Sequence, residues 1–411
     1  MWNLDLIYRI SNPSETSGFS NRDLIDGIII NARLACSQQN WTQNFIISSK
    51  KNILIDPQTA IYSIEIENLF NDNDELRISE NKYLNKINEQ IYEIVSNQRR
   101  ELLPTDFKPD DWNEELIVEL CKTNIKIQKD FFRQSSLTDF IQLIDANDAP
   151  FDTSKLLAVI PPYFYFESRE DPWYEITKYL AEKTKNLSQE PPTYPILCFN
   201  KEILLQGDTI DMILEDYSEF SSIIIHISDF DELKEEVEYL TGLINFLEKA
   251  KISNINIINL YGGFFSFLLG LKGLLHGYSQ GICYGNKKDI IKYSSTGGGG
   301  ISNRYYFKIN QTKLVESKAR TILSFFPEIQ CTCTTCAEKD NSDMDTFFSQ
   351  LDAIDYKTHF LNNLFNLKQD SYEQIIANIK QNIETINNNH LNNFGLRTRH
   401  LTNWLHSLNE L

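Results

Sequence analysis

The sequence lacks any segment that is long and apolar enough to cross a membrane. No apolar run reaches the roughly 18 residues that a span requires. The nearest, at 260–277, carries Lys272 and several glycines and is typical of a strand end followed by a buried helix. The first residues also lack the basic stretch and apolar segment of a signal peptide. We therefore expect a cytoplasmic protein with no membrane partner.

Positive charge is scarce as well. The chain has 39 Lys and Arg residues against 57 Asp and Glu residues, which gives a formal net charge of −18. Binding of nucleic acid requires Lys and Arg side chains that contact the phosphates. On a chain this acidic, such residues could form only a local basic groove. The hydrophobic content of 41% excludes a disordered chain and suffices for one large α/β domain with insertions, or for two ordinary domains.

Glycine-rich nucleotide-binding motifs are missing too. No G-x-G-x-x-G follows an early strand, which argues against a dinucleotide-binding Rossmann fold. The GGGG run at 297–300 is not followed by the Gly-Lys-Ser/Thr of a phosphate-cradling loop, so it predicts a plain loop. We find no internal repeat of a solenoid period.

The chain does contain an alternation of short apolar runs with helical stretches. Helical spacing occurs at 171–187, 208–220 and 232–251. The predicted strands are 45–56, 155–166, 194–205, 221–230, 254–263 and 278–286. Strands and helices that alternate with short links indicate a parallel sheet, either closed into a barrel or open and doubly wound.

Three of the seven cysteines lie within six residues, in CTCTTC. Cys331, Cys333 and Cys336 have the spacing C-x-C-x2-C, and such clustering in a cytosolic chain favours a metal over disulfides. Zinc takes four thiolate or imidazole ligands. The fourth is predicted to be His359 in the helical run YKTHFLNNLFNL, with His390 as the alternative. A site closed by four protein ligands predicts structural Zn²⁺.

This cysteine motif, followed after twenty-odd residues by a helical histidine, resembles the zinc signature of the tRNA-guanine transglycosylase superfamily. The preceding segment ARTILSFFPEIQ also resembles the family's approach to its cysteines. The resemblance covers roughly residues 45–375. It implies a TIM-like (β/α)8 barrel, of α/β class, with a C-terminal zinc-binding subdomain.

The resemblance also suggests a division of the chain. Residues 66–150 interrupt the strand–helix rhythm and are rich in Asn, Asp, Glu and Lys, which indicates a helical insertion. Residues 1–65 are then an N-terminal segment with the first barrel strands. Residues 151–320 would complete the barrel, and 321–411 would form the zinc-binding subdomain and a helical tail.

A second match concerns Asp56. The family has an Asp at the end of an early barrel strand, in the context L-x-D-S-G-G-F-Q, and this chain reads ILIDPQTAIY there. The resemblance implies that Asp56 transfers protons to and from the exchanged base, at the strand ends where barrel enzymes keep their chemistry. Alternatively, Asp56 only forms a turn before Pro57.

The resemblance implies further substrate-binding residues at the following strand ends. Asn200 falls where the family uses Gln to read the base. Ser228 and Asp229 fall at its glycine-rich base-binding strand end, and Gly262 and Gly263 end the next strand.

The family's nucleophile has no counterpart. Those enzymes carry a second Asp on the last barrel strand, which attacks the ribose C1′ while the old base leaves. The segment GICYGNKKDI has no carboxylate at its strand end, and Asp289 lies beyond it. Either Asp229 takes that role, or the chemistry differs, or the protein is inactive like the family's non-catalytic partner subunit.

A group of basic and aromatic residues flanks the predicted pocket mouth. Lys287, Lys288 and Arg304 could hold phosphates, and Tyr305 and Phe307 could stack a flipped base. The alternation of Tyr305 and Phe307 favours the other interpretation, in which both are core residues of a strand.

Two functions remain as hypotheses. The first is a base-exchange transglycosylase that replaces guanine in DNA or tRNA with a 7-deazaguanine such as preQ0. The divergent strand ends, and the absence of an RNA-binding domain of the archaeal type, favour the DNA-directed branch of the superfamily. The second is an inactive zinc scaffold or partner subunit of a nucleic-acid modification or defence complex, acting with a protein partner or as a homodimer.

Overall fold

Eight parallel strands form the centre of the molecule. The computed structural model describes residues 5–10, 25–49, 51–64, 66–132, 155–281, 288–291 and 303–410. The strands are β1 (Asp5–Ile10), β2 (Gly27–Asn31), β3 (Asn52–Asp56), β4 (Tyr165–Phe166), β5 (Ile196–Asn200), β6 (Ser222–Ser228), β7 (Asn256–Asn259) and β8 (Gly277–Gln280). Their order is β3-β2-β1-β8-β7-β6-β5-β4, with every pair parallel. This is the cyclic strand order of a TIM-like barrel, opened between β3 and β4.

The sheet is a half-barrel, which corrects the prediction of a closed (β/α)8 barrel. Between β3 and β5 the predicted strand 155–166 makes only isolated bridges, Ile53 with Leu156 and Val159 with Thr193, before the short β4. Pro161 lies in this segment and is followed by a second proline. Proline has no N–H to donate to a ladder, so a continuous strand cannot form there.

Sixteen helices surround or extend the sheet in the described part of the chain. They are α1 (Ala32–Ser37), α2 (Gln39–Ser49), α3 (Ile78–Ile87), α4 (Glu89–Tyr92), α5 (Pro104–Phe107), α6 (Glu114–Asp130), α7 (Pro172–Leu187), α8 (Gly207–Asp216), α9 (Val237–Ile252), α10 (Phe264–Leu271), α11 (Glu316–Phe325), α12 (Thr334–Ala337), α13 (Met344–Ser349), α14 (Ala353–Leu367), α15 (Tyr372–Asn388) and α16 (Arg399–Ser407). Among the described residues, no helix is long and apolar enough to span a membrane.

Helices α7, α8 and α9 lie where helical spacing predicts them. The strand predicted over 45–56 is wrong in its first half, because α2 continues to Ser49 and β3 begins only at Asn52. A short apolar run such as FII fits a helix face as well as a strand. Strand β6 is buried along its whole length, as expected of a parallel sheet covered on both faces.

The insertion contributes helices α3 to α6 over its described part, 66–132, whereas 133–154 lie outside the described residues. Helix α3 packs against α1, and α6 packs against α7. A buried ion pair joins Arg33 of α1 to Glu80 of α3, and the Tyr62 hydroxyl donates to the same carboxylate at 3.1 Å. The insertion is therefore fixed to the side of the sheet at β2 and β3.

The C-terminal part has a hydrophobic core of its own. A hairpin of β9 (Arg304–Phe307) and β10 (Thr312–Val315) packs with α11 to α13 around Tyr305 and Phe307, each 1% exposed. This confirms that both aromatics are core residues, whereas Arg304 is exposed. The predicted loop at 297–300 and Lys287 lie outside the described residues.

Helix α16 returns from this subdomain to the sheet. The Trp404 side chain is fully buried and packs on Phe264 and Phe265, with ring centroids 5.7 and 6.1 Å away. Its indole Nε1 donates to the backbone oxygen of Glu232 at 2.7 Å. One residue near the C-terminal end of the chain therefore secures the loop between β6 and α9.

We predict that Trp404→Ala lowers the free energy of unfolding by about 3–5 kcal/mol, because it leaves a large cavity and an unpaired buried carbonyl. Urea denaturation followed by circular dichroism measures this. Ile252→Ala is the control, since Ile252 is 80% exposed and its truncation should change stability little. Equal effects of the two substitutions would contradict this account of α16.

Candidate functional site

A cluster of three thiols and one imidazole lies at the junction of the hairpin, α12 and α14. Cys331 and Cys333 precede α12, and Cys336 lies within it. His359 lies in α14, a helix begun by an Asp352 capping box. One ligand atom from each of the four residues lies within 4.8 Å of all the others. The structure thus brings together the four ligands predicted from spacing.

A backbone hydrogen bond sets the orientation of the imidazole. His359 Nε2 lies 2.9 Å from the carbonyl oxygen of Tyr306, which leaves Nδ1 to face the thiols. Nδ1 is 3.3 Å from the sulfurs of both Cys333 and Cys336. Tetrahedral zinc, with Zn–S near 2.3 Å and Zn–N near 2.0 Å, would place sulfur and nitrogen about 3.5 Å apart. The spacing fits an ion bound between them.

Hydrogen bonds to the first thiol complete the arrangement. The Asn363 amide donates to Cys331 Sγ at 3.2 Å, and the backbone N–H of Cys333 donates to the same sulfur at 3.3 Å. The Tyr305 ring stacks on His359 with centroids 4.4 Å apart. The alternative ligand His390 is exposed and starts a 3₁₀ turn outside this cluster. The four residues can therefore hold a metal ion, with His359 as the fourth ligand.

A second group of polar side chains lies at the carboxyl ends of the strands. Asp56 ends β3 and is 2% exposed. It accepts hydrogen bonds from the Gln58 backbone N–H at 3.0 Å, the Gln58 side chain at 3.1 Å and the Tyr163 hydroxyl at 2.9 Å. Burial raises the pKa of Asp56, while these bonds and the charge of Lys288 oppose the rise. Asp56 is therefore a buried carboxyl that holds a proton more readily than usual.

Basic side chains surround this carboxyl. Arg33 donates to Gln58 Oε1 at 2.6 Å, and Gln58 in turn holds Asp56. The pKa of Lys288, which lies over the strand ends, is lowered to about 7 by burial and next by the charge of Arg33. Arg9 of β1 is 6% exposed and also lowers the pKa of Lys288. Lys288 therefore supplies positive charge near Asp56, whereas Arg33 is itself paired with Glu80.

Sequence reasoning missed Arg9 and the residues that hold it. Its guanidinium donates to the carbonyl of Leu260 at 2.9 Å and lies 3.9 Å from the centroid of the Tyr261 ring. An arginine between the apolar residues of LIYRI was the available signal, because a buried charge needs partners. His226, in the middle of β6, has its pKa lowered to about 3 by burial and then by Lys288, so its ring is neutral at pH 7.

The end of β6 is where residues 288–291 contact the sheet. Ser228 Oγ accepts from the Ile290 N–H at 3.0 Å and lies 3.4 Å from an Asp289 carboxylate oxygen. The Asp229 N–H donates to the carbonyl of Lys288 at 3.3 Å, and Asp229 has a φ of 53°. Two aspartates, Asp229 and Asp289, thus lie beside one strand end, although they are sixty residues apart in sequence.

The other predicted binding residues make contacts within the fold. Asn200 accepts from the Glu202 N–H at 2.9 Å and donates to the Tyr165 hydroxyl at 3.2 Å. A Cβ atom at Gly262 would lie 2.8 Å from Ser266, so this glycine permits the close approach of α10. The backbone N–H of Gly263 donates to Glu232 at 2.9 Å. Their roles in binding a base remain predictions.

Glu232 is a further buried carboxylate that sequence reasoning did not identify. It accepts N–H groups of Gly263, Phe265 and Ser266 at the start of α10, at 2.9, 3.0 and 3.2 Å. A carboxylate at this position satisfies the free amides of the first helical turn. Burial nevertheless raises its pKa to about 7, against the lowering effect of these hydrogen bonds. Glu232 therefore links α10 to the loop that Trp404 covers.

Comparison with known proteins adds little to this geometry. No protein-family model matches the chain, and no curated protein matches it. Among solved structures, the chain is similar to the structure of GH10 from Paenibacillus barcinonensis, with a TM-score of 0.34 and 8% identity, over 70% of this chain and 84% of that one. A likeness this weak carries no argument about function.

We predict that Cys333→Ser loses about one equivalent of bound metal and unfolds at a lower temperature, because the energy of metal binding is folding energy. Metal analysis by plasma mass spectrometry and a thermal melt provide the two readings. Cys121→Ser is the matched control, since Cys121 is buried in α6 far from the cluster in sequence and should keep the metal. Unchanged metal content in Cys333→Ser would rule out this site.

We also predict a pH-dependent stability from Glu232. A carboxyl whose pKa is raised in the folded state contributes stability at low pH and loses it as the pH rises from the unfolded value of 4.5 to about 7. Relative to Glu232→Gln, the wild type should lose about 3 kcal/mol across this window, since a pKa difference of one equals about 1.4 kcal/mol. Urea midpoints of both proteins at several pH values test this, and parallel curves would contradict it.

Proposed function

We propose that this chain is a base-exchange transglycosylase, which removes guanine from a nucleotide in nucleic acid and inserts a 7-deazaguanine such as preQ0. The observation that carries the proposal is the buried Asp56 at the carboxyl end of β3, surrounded by Gln58, Tyr163 and basic side chains. Parallel sheets of this kind keep their ligands at the carboxyl ends of the strands. The Cys/His cluster, which resembles the zinc signature of such enzymes, supports the same proposal.

Asp56 suits the proton transfers that base exchange requires. The departing guanine must gain a proton and the incoming base must lose one, so a single group has to act as acid and then as base. Burial raises the pKa of the Asp56 carboxyl, which makes it a better proton acceptor than an exposed aspartate. Tyr163 and Gln58 fix its two oxygens in place.

Formation of a bond to the ribose C1′ needs a nucleophile. Asp229 is the candidate that the sequence suggests, and Asp289 lies beside the same strand end, that of β6. We propose that one of these two carboxylates attacks C1′ as the bond to guanine breaks. Lys288 directly precedes Asp289, and its charge interacts with that of Asp56, so a cation lies close to the proposed acid/base group.

The metal is proposed to be structural Zn²⁺. Three thiolates and one imidazole are soft ligands that suit zinc, and four protein ligands leave no open position for water. His359 and Cys336 would then hold α14 and α12 to the hairpin. Zinc would supply folding energy to this subdomain and take no part in the exchange.

The alternative is an inactive zinc scaffold or partner subunit. Strand β8 favours it, because it ends on Gln280 and carries no carboxylate among its described residues. A scaffold would keep the Cys/His cluster and the fold, while Asp56 would have only its turn-forming role.

Exchange of labelled base into nucleic acid tests the proposal. Wild-type protein, incubated with DNA or tRNA and radiolabelled guanine or preQ0, should incorporate label, and Asp56→Asn should lower the rate about 10²–10⁴-fold, as loss of an acid/base group does. Asp229→Asn and Asp289→Asn, measured in parallel, identify the nucleophile as the variant without activity.

Asp26→Asn serves as the control, because Asp26 lies on the loop before β2 and pairs with Lys368. It should retain the exchange rate. Absence of incorporation by the wild type into either nucleic acid would contradict the enzyme and favour the scaffold.

A further inference from the structure

A polar cleft lies between the α1–α2 turn and the exposed face of α3. We call it the lysine cleft. It has a volume of about 560 Å³. Its lining includes Trp41 at the start of α2 and Lys82 and Lys86 on α3. A second hollow of about 250 Å³ shares Lys86 with it and extends to Lys126 on α6. The insertion therefore lines two adjoining hollows beside the sheet, which together we call the groove.

The ammonium groups in this groove bond to neutral partners. Lys82 donates to the Ser37 carbonyl at 3.3 Å, and Lys86 donates to the Gln39 side chain at 3.1 Å. Neither of them, nor Lys126, forms an ion pair with a carboxylate within the part of the chain that the structure describes. Asp130 is the acidic residue among those lining the two hollows. The groove is thus locally basic on a chain with a net charge of −18.

Lys82 and Lys86 also repel each other. They lie one turn apart on α3, a spacing at which like charges destabilise a helix. The acidic residue of that helix, Glu80, cannot relieve them, since its carboxylate is bound by Arg33 and Tyr62. No carboxylate of the described residues pairs with Lys82 or Lys86 to offset this repulsion. A bound polyanion would offset it.

An aromatic ring lies beside these charges. Trp41 is half-buried and stacks on Phe45, with ring centroids 5.4 Å apart and an interplanar angle of 7°. The cleft is also lined by amide side chains that can donate and accept hydrogen bonds, namely those of Gln38, Asn40 and Asn85. Cations along a groove with an aromatic ring on which a base can stack are the features of single-stranded nucleic-acid sites.

The groove is close to the proposed catalytic residues. Helix α1 carries Arg33, which binds Gln58 beside Asp56, and ends at Ser37 in the cleft wall. Four residues of helix correspond to about 6 Å at 1.5 Å per residue. The cleft wall therefore begins about one helical turn from Arg33.

We propose that the lysine cleft and the second hollow bind single-stranded nucleic acid, with Lys82, Lys86 and Lys126 contacting backbone phosphates and Trp41 stacking an unpaired base. The proposal names the surface that holds the nucleic-acid substrate of the exchange reaction, and in that respect it rests on the proposed function. A target base that has been extruded from a duplex is unpaired and unstacked, as a base in a single strand is.

Fluorescence anisotropy of a labelled, mixed-sequence single-stranded DNA measures the binding. Lys82→Glu combined with Lys86→Glu should weaken binding more than about tenfold and lower the slope of log Kd against log salt by about 1.4, since each single-strand phosphate contact contributes about 0.7. Trp41→Ala should weaken binding by about tenfold with an unchanged salt slope, because stacking releases no counterions. The same-sequence RNA and duplex DNA show which form is preferred.

Lys251→Glu combined with Lys380→Glu is the matched control, with the same change in net charge on α9 and α15. It should leave the dissociation constant within about twofold, apart from long-range screening. Circular dichroism confirms that each variant is folded. Equal weakening by the two double variants, no effect of either, or no binding of any strand by the wild type would overturn the cleft.

Failure of the cleft and failure of the exchange reaction give different results. If labelled base is incorporated and depends on Asp56, but the Lys82/Lys86 variant binds and reacts as the wild type does, the cleft is wrong and the function stands. If no base is exchanged, but strand binding is lost in the Lys82/Lys86 variant alone, the cleft stands and the protein is a nucleic-acid-binding scaffold.

Discussion

The convergence of three thiols and one imidazole in a buried position is the constraint on which the C-terminal half depends. Burial removes water from the thiols and the imidazole, which costs free energy. An ion bound between the four groups compensates for that cost, because it interacts with each of them. Helix α14 connects this cluster to the rest of the molecule. Its Tyr356 belongs to the subdomain core, whereas Phe360 and Leu364, one and two turns on, belong to the main core. His359 lies between these two sets, so an ion bound at the cluster would couple metal binding to docking of the subdomain.

Charged side chains are buried at the carboxyl ends of the strands, a position that apolar side chains would otherwise fill. Asp56, Arg9 and Lys288 lie at or over the strand ends, and each is partly or fully removed from water. Burial of such groups costs stability unless partners compensate, and the raised pKa of Asp56 and the lowered pKa of Lys288 both record that cost. Buried residues with shifted pKa values cluster at functional sites. We therefore propose that the active site lies at this end of the sheet. Glu232 and Trp404 act nearby as structural supports.

The local features of the site could be predicted from sequence, and the non-local ones could not. The candidate metal ligands could be predicted because the three cysteines lie within six residues and a helical histidine follows them, although the packing of α14 on the hairpin is what brings His359 to the thiols. Asp56 required a resemblance, since an Asp before a proline is also an ordinary turn. Asp289 and the lysine cleft depend on segments distant in sequence, namely β6 with 288–291 and α1 with α3. Strand β1 and the open junction after β3 were missed, because a short apolar run does not show with which other strands it pairs.

Zinc-edge X-ray absorption spectroscopy of the wild-type protein tests the metal centre most directly. The account predicts stoichiometric zinc with a first shell of three sulfur atoms near 2.3 Å and one nitrogen near 2.0–2.1 Å, and no bound water. A shell made of oxygen and nitrogen alone, or a purified protein that binds no zinc with its cysteines reduced, would contradict the coupling of metal and fold described above.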